Sequence, residues 1–175
     1  ADLVATGNLL ETTTAIEPVV KEWKSAHPNN FLVNMTVARL RRLARDTPGE
    51  ISATEAAVKC NPQNPQGWLT LGRIYDQKAQ DIRRARTVGN MTEDELQTIH
   101  NLYDRWGSAA IHAARLAPRS GRAQLQLAQA ATFHGDHEVA IAALWAGLKN
   151  SNHHKAELLL WGTEMFQPKM ARGSG

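Results

Sequence analysis

The sequence contains seven histidines, residues whose imidazole nitrogens could hold a metal ion. Two pairs stand out, His134 with His137 and His153 with His154. Zinc requires three or four converging ligands, usually histidine, cysteine or carboxylate. Both pairs fall at predicted turns, and no third ligand follows at a fixed spacing. The pattern therefore favours surface histidines over a metal site, and we predict no metal.

The arrangements typical of catalytic sites do not occur in the sequence. It contains no phosphate-binding loop, nucleophile elbow, HExxH or CxxC. Carboxylates cluster in TEDE, residues 92–95, where helix capping explains them. The single Cys60 cannot form an internal disulfide and is expected to be a buried thiol. We therefore predict no enzymatic activity and no cofactor.

The composition is that of a soluble helical protein. Of the 175 residues, 42% are hydrophobic and 21% charged, and alanine, leucine, glutamine and arginine outnumber valine and isoleucine. The net charge of +3 permits an acidic partner but does not require nucleic acid, which we do not predict as a partner. No apolar run is long enough for membrane insertion. The compartment is left open between cytoplasm, slightly favoured, and periplasm or secretion.

An eight-residue pattern recurs four times. The octets NMTVARLR, WLTLGRIY, QLQLAQAA and LLLWGTEM begin at Asn34, Trp68, Gln124 and Leu158. In each octet the second and fourth residues are apolar and the fifth is alanine or glycine. Six residues before each octet stands a helix-breaking junction residue: Pro28, Pro62, Pro118 or Asn152. The intervals between them are 34, 56 and 34 residues, which indicates a 34-residue unit with one insertion of 22.

Each unit is predicted to be two helices joined by tight turns. The small fifth residue of the octet leaves room for a neighbouring helix to cross closely, and apolar residues beside it fill the contact. Gly135 is placed to take a left-handed conformation in one such turn. The residues predicted to pack between helices are Ala38, Trp68, Leu71, Gly72, Tyr75, Leu127, Ala128, Ala140, Leu144, Trp161 and Gly162.

This pattern resembles the tetratricopeptide repeat family. The matching residues are Trp68, Leu71, Gly72, Tyr75 and Pro118, followed by Leu127, Ala128, Gly135, Ala140, Leu144 and Gly147. The resemblance implies an all-α, right-handed superhelical solenoid of antiparallel helix pairs. We predict a single repeat domain over residues 1–170, followed by a linker or tag remnant at 171–175. Its parts are a partial repeat (13–28), a repeat (29–62), an extended repeat (63–118), a repeat (119–152) and the first helix of a further repeat (153–167).

The inserted residues are predicted to lengthen one hairpin by about three turns per helix. The first helix is expected to continue to about Val88, and the second to run from Glu93 to Leu116. Thr92 and Glu95 have the spacing of a capping box. The extension is rich in charges of both signs, so a solvated hairpin is favoured over a docking arm.

The resemblance implies a non-catalytic scaffold that binds another protein, as a peptide or helix, in a concave groove made by the first helix of each pair. An apolar floor bordered by arginines favours a partner with apolar anchors and acidic residues. Alternatives are a regulatory or targeting domain of a larger protein or enzyme, self-association through the C-terminal helix, and a groove filled by the chain itself. The predicted partner-binding residues are Leu32, Met35, Arg39, Arg42, Gln66, Leu69, Arg73, Arg122, Leu125, Gln129, Leu159 and Phe166.

Overall fold

The structure, a computed structural model, describes residues 15–86, 90–150 and 155–166. Within these ranges the chain is helical apart from its turns, and it contains no strand. The chain divides into two compact units, residues 1–116 and 117–175. The all-α prediction is therefore confirmed.

The first unit contains two helical hairpins preceded by a single helix. The described part of α1 covers residues 15–26. The helices that follow are α2 (Phe31–Leu43), α3 (Thr47–Cys60), α4 (Pro65–Ala85) and α5 (Glu93–Leu116). Helix α2 packs on α3 and α4 packs on α5, while α3 also packs against α4 and joins the two hairpins.

The second unit contains one hairpin and a following helix. These are α6 (Gly121–Phe133), α7 (His137–Asn150) and α8 (Lys155–Phe166). Its core centres on the buried residues Ala128, Leu144 and Leu158. Leu158 of α8 is fully buried, so α8 is anchored to the hairpin through this side chain.

The junctions between hairpins share one hydrogen-bonding device. Pro28, Pro62 and Pro118 each begin a turn before a helix. The first octet residue lies six positions later, and its side chain donates an N–H to the proline carbonyl oxygen. The donors are Asn34 Nδ2 (3.0 Å), Trp68 Nε1 (2.8 Å) and Gln124 Nε2 (3.1 Å). Asn30, Asn64 and Ser120 cap the helices that follow.

Two of the turns inside hairpins contain a residue in left-handed backbone conformation. Gly135 has φ of 78°, which confirms the sequence prediction for this residue. Arg45 has φ of 57° in the corresponding turn between α2 and α3. Because a side chain makes this region unfavourable, Arg45 stores strain that Gly135 avoids.

The long hairpin is confirmed as well. Helices α4 and α5 have 21 and 24 residues, against 13 and 14 in α2 and α3. The predicted capping box forms at the start of α5. Thr92 N donates to Glu95 Oε2 at 3.0 Å, and Glu95 N donates to Thr92 Oγ1 at 3.2 Å. Helix α4 ends at Ala85, three residues before the predicted Val88, which lies outside the described residues.

The predicted helix-packing residues are buried to different degrees. Buried are Ala38, Leu71, Gly72, Tyr75, Ala128, Ala140 and Leu144, and half-buried are Trp68, Leu127, Trp161 and Gly162. Close contacts also occur at glycines outside this set. A Cβ on Gly67 would lie 2.7 Å from Val58, and one on Gly147 would lie 2.9 Å from Leu158. One on Gly162 would meet Leu144 at an ordinary 3.8 Å.

Candidate partner-binding surfaces

One face of α2 carries four of the predicted partner-binding residues, which we name the α2 stripe: Leu32, Met35, Arg39 and Arg42. Their spacing of three, four and three residues places them on one side of a helix. Leu32 is 72% exposed, both arginines are exposed and Met35 is half-buried. Among the described residues, neither arginine forms an ion pair. The stripe therefore offers an apolar side chain beside two available guanidinium groups.

The corresponding face of α4 is more closed. Gln66 is exposed, but Leu69 is only 5% exposed and belongs to the core. Arg73 pairs with Glu50 of α3 at 2.5 Å, and the side chains are 32% and 8% exposed. Arg73 is thus already committed to a carboxylate of its own chain. Sequence reasoning missed Glu50, although an acid at a position where α7 has the buried Ala140 was a usable signal.

In the second unit the predicted residues separate into exposed and packed ones. Arg122 is exposed, and Leu159 is 56% exposed. Gln129 is half-buried, and Leu125 packs against the core around Leu158. Phe166 is the last residue of α8, and its side chain lies outside the described structure.

A groove in the first unit lies between α3, α4 and α5 and has a volume of about 430 Å³. At one side, Tyr75 Oη donates to Glu55 Oε1 at 2.9 Å, and Arg105 also contacts Glu55. The Arg105 guanidinium lies 4.3 Å from the centre of the Tyr75 ring. Helix α5 contributes Asp104, Arg105, Ser108 and Ala109 to this groove and so covers part of it. We call it the covered groove.

Burial in this groove and the Glu55 carboxylate both shift the pKa of the Tyr75 phenol. Burial raises the pKa of Tyr75, and the hydrogen bond to Glu55 raises it further, while Arg105 opposes both effects. The phenol is therefore held protonated and acts as a hydrogen-bond donor. On the same helix, burial raises the pKa of Asp76, and hydrogen bonding from Gln80 opposes the shift.

A second groove lies between α7 and α8 and has a volume of about 290 Å³. We call it the terminal groove. Its lining is almost entirely apolar, and two of its residues reach far into solvent: Trp145 is 69% exposed and Leu159 is 56% exposed. The full lining is Ile141, Leu144, Trp145, Leu148, Leu158, Leu159, Gly162 and Thr163. The sequence analysis named self-association through the C-terminal helix, which is α8, but did not single out Trp145 of α7.

Other kinds of site receive no support from the described residues. No three histidine, cysteine or acidic side chains come together there as metal ligands, and His153 and His154 lie outside those ranges. Cys60 is half-buried rather than buried, and Asn34 Nδ2 lies 3.6 Å from its sulfur. None of the described helices combines the length and apolarity that crossing a bilayer requires.

Comparison with known proteins identifies relatives in structure but not in sequence. No family model matches the chain, and no curated protein does. A monomeric mutant of IFIT1 with Gppp-AAAA superposes with a TM-score of 0.70 at 16% identity, over 86% of this chain and 34% of that one. The chain thus spans about a third of the length of IFIT1.

Two further structures match a larger share of their own length. TTC0263, a thermophilic tetratricopeptide protein of Thermus thermophilus, matches with a TM-score of 0.61 and 20% identity, over 92% of this chain and 78% of that one. The MamA protein matches with a TM-score of 0.56 and 15% identity, over 90% and 78%. Together with the hairpins and their 34-residue spacing, these similarities establish that the chain has the tetratricopeptide-like helical-repeat fold.

Proposed function

We propose that this protein is a non-catalytic scaffold that binds a segment of another protein on the α2 stripe. The carrying observation is the exposure of Leu32 beside Arg39 and Arg42, whose guanidinium groups have no acidic partner among the described residues. An exposed arginine can hold a carboxylate through two parallel hydrogen bonds. An apolar side chain on the same helix face adds an anchoring contact.

The chemistry of the stripe defines the partner. It suits a helix or extended segment that presents one or two apolar side chains with acidic residues beside them. Arg73 is not expected to join in, because releasing it would leave Glu50 buried without its cation. The binding site is therefore proposed to centre on α2 rather than to extend equally over α4.

A ribonucleotide ligand is the second candidate, favoured by the structure of IFIT1 with Gppp-AAAA. The net charge of +3 is small for a nucleic-acid-binding protein. The α2 stripe also contains no aromatic side chain on which a base could stack. We therefore place a protein segment first and use RNA as a comparison ligand.

Selection from a peptide library tests this proposal. Peptides that bind the wild-type chain are expected to carry apolar anchors next to aspartate or glutamate. Arg39→Glu with Arg42→Glu should weaken their binding at least tenfold, measured by fluorescence anisotropy. A matched control, Arg115→Glu with Arg119→Glu, changes two exposed arginines elsewhere by the same charge and should alter affinity less than threefold.

Two results would contradict the proposal. One is a selection that enriches no acidic, apolar peptide. The other is an equal loss of affinity in both double variants, which would show a response to net charge rather than to the stripe. Tighter binding of a single-stranded RNA than of any selected peptide would favour the second candidate.

A further inference from the structure

Helix α1 exposes a face that is buried in α3 and α7, which are the second helices of their hairpins. Ile16 and Val19 are 42% and 46% exposed. One 34-residue period later, Glu50 and Ala53 of α3 are only 6% and 9% exposed. In α7, the residues in the same register, Ala140 and Ala143, are 0% and 3% exposed. Helix α1 thus has the register of a second helix without a described first helix packed against this face.

At the other end of the chain, α8 is a first helix without a described second helix. Three lining positions of the terminal groove lie 90 residues after lining positions of the covered groove, and the first pair is Trp145 with Glu55. Leu148 corresponds to Val58, and Leu158 corresponds to Trp68. In the first unit that groove is covered by α5, the next second helix along the chain. Among the described residues, no helix covers the terminal groove in this way.

The register also shows which residues of α1 would replace the covering residues of α5. Counting back 90 residues, Arg105, Ser108 and Ala109 correspond to Ala15, Pro18 and Val19, while Asp104 corresponds to Thr14, which lies outside the described residues. All three α1 residues are exposed, and none carries a charge.

Both residues of the Glu55–Arg105 contact are replaced by uncharged residues at the corresponding positions. In the first unit, Glu55 and Arg105 form an ion pair across the covered groove. The corresponding residues are Trp145 in the terminal groove and Ala15 in α1. An ion pair is thus replaced by a large apolar and a small apolar residue. The α1 face is uncharged and therefore suits an apolar groove. The corresponding face of α5 carries Arg105, whose charge would be buried there without a partner.

From this correspondence we propose that the terminal groove of one copy binds α1 of a second copy, so that α8 and the incoming α1 form a complete helical hairpin. The contact joins two different surfaces, and each copy has both, so association is head-to-tail. It uses neither Arg39 nor Arg42 and does not depend on the partner binding proposed above.

Sedimentation of the purified 175-residue chain tests the contact. The wild-type average mass should rise with concentration up to about 1 mM, the range in which small interfaces associate. Leu159→Glu, in the groove, and Val19→Asp, on α1, should each weaken association at least tenfold. Leu160→Glu is the matched control, because Leu160 is 63% exposed on the same helix but does not line the groove.

A mixing experiment identifies the surfaces. Val19→Asp has an intact groove, and Leu159→Glu has an intact α1, so an equal mixture should form one-to-one dimers and no larger species. A wild-type chain that stays monomeric at every concentration overturns the proposal. So does a mixture that shows no dimer, or a Val19→Asp variant that associates as well as the wild type. Circular dichroism establishes that each variant keeps its helical content.

Discussion

Removing Arg73 from its ion pair with Glu50 should lower the free energy of unfolding more than removing Glu50 does. The Glu50 side chain is 8% exposed and depends on Arg73 for its ion pair, whereas the Arg73 side chain is 32% exposed and can regain water. Exposed pairs contribute up to about 1 kcal/mol, and loss of one partner of a fully buried pair costs about 3–5 kcal/mol. For this partly buried geometry we expect Arg73→Met to lower the free energy of unfolding by about 2 kcal/mol.

The reverse change should cost less. Glu50→Leu removes the buried charge and leaves an arginine that can reach solvent, so we expect about 1 kcal/mol. The double variant should recover most of the loss, because the introduced methionine and leucine side chains can pack together without a buried charge. For a chain of this size, a loss of about 2 kcal/mol corresponds to a decrease of roughly 4–8 °C in Tm.

Urea unfolding followed by circular dichroism measures all four corners of this cycle. Arg115→Met serves as the control, since Arg115 is exposed and has no acidic partner among the described residues. The reasoning is refuted if Arg73→Met costs no more than this control. It is also refuted if Glu50→Leu costs more than Arg73→Met, because that order contradicts the burial of the carboxylate.

Three further predictions concern backbone and titration. Gly67→Ala should destabilise the protein by about 1–3 kcal/mol through overpacking, whereas Gly162→Ala, with space for a methyl group, should be neutral or gain up to about 1 kcal/mol in urea unfolding. Arg45→Gly should stabilise the chain by about 0.5–1 kcal/mol in the same assay, because glycine removes the strain of a φ of 57°. In a Tyr103→Phe variant, which keeps Tyr75 as the single tyrosine, tyrosinate absorbance should develop well above the pH at which an unfolded tyrosine ionises.

Each of these three predictions can be contradicted by a specific result. Equal effects of the two alanine substitutions would show that the neighbours of Gly67 yield easily. A loss of stability in Arg45→Gly would show that the arginine side chain makes contacts worth more than its strain. For Tyr75, the raised pKa means that the folded state holds its proton more tightly, so stability falls as pH rises above about 10. A normal tyrosinate titration without unfolding would contradict the burial of the phenol.

Local features of the fold were predictable from sequence, because local chemistry determines them. The turns at Pro28, Pro62 and Pro118 follow from the missing N–H of proline, and the start of α5 follows from the Thr92 and Glu95 spacing. The repeat spacing then predicted the helical pairs without any knowledge of their contacts.

The predicted partner-binding surface depends on long-range contacts, and there the sequence was less informative. Leu69 and Leu32 were both predicted to bind a partner, yet Leu69 is 5% exposed and Leu32 is 72% exposed. Arg73 and Arg39 occupy equivalent octet positions, but Glu50 lies within reach of Arg73 alone among the described residues. Such differences arise from which neighbour covers each helix, and periodicity carries no information about that.

The hydrogen bond from the first octet residue to the junction proline has a consequence for how this fold can diverge. Asparagine, tryptophan and glutamine differ in size, polarity and shape, yet each donates a side-chain N–H to the carbonyl oxygen of the proline six residues before it. Selection for that hydrogen bond requires a side-chain N–H that points at the proline carbonyl oxygen, and several residue types can supply one. Repeats within one chain, or in distant proteins, can therefore keep this junction hydrogen bond after their sequence similarity has disappeared.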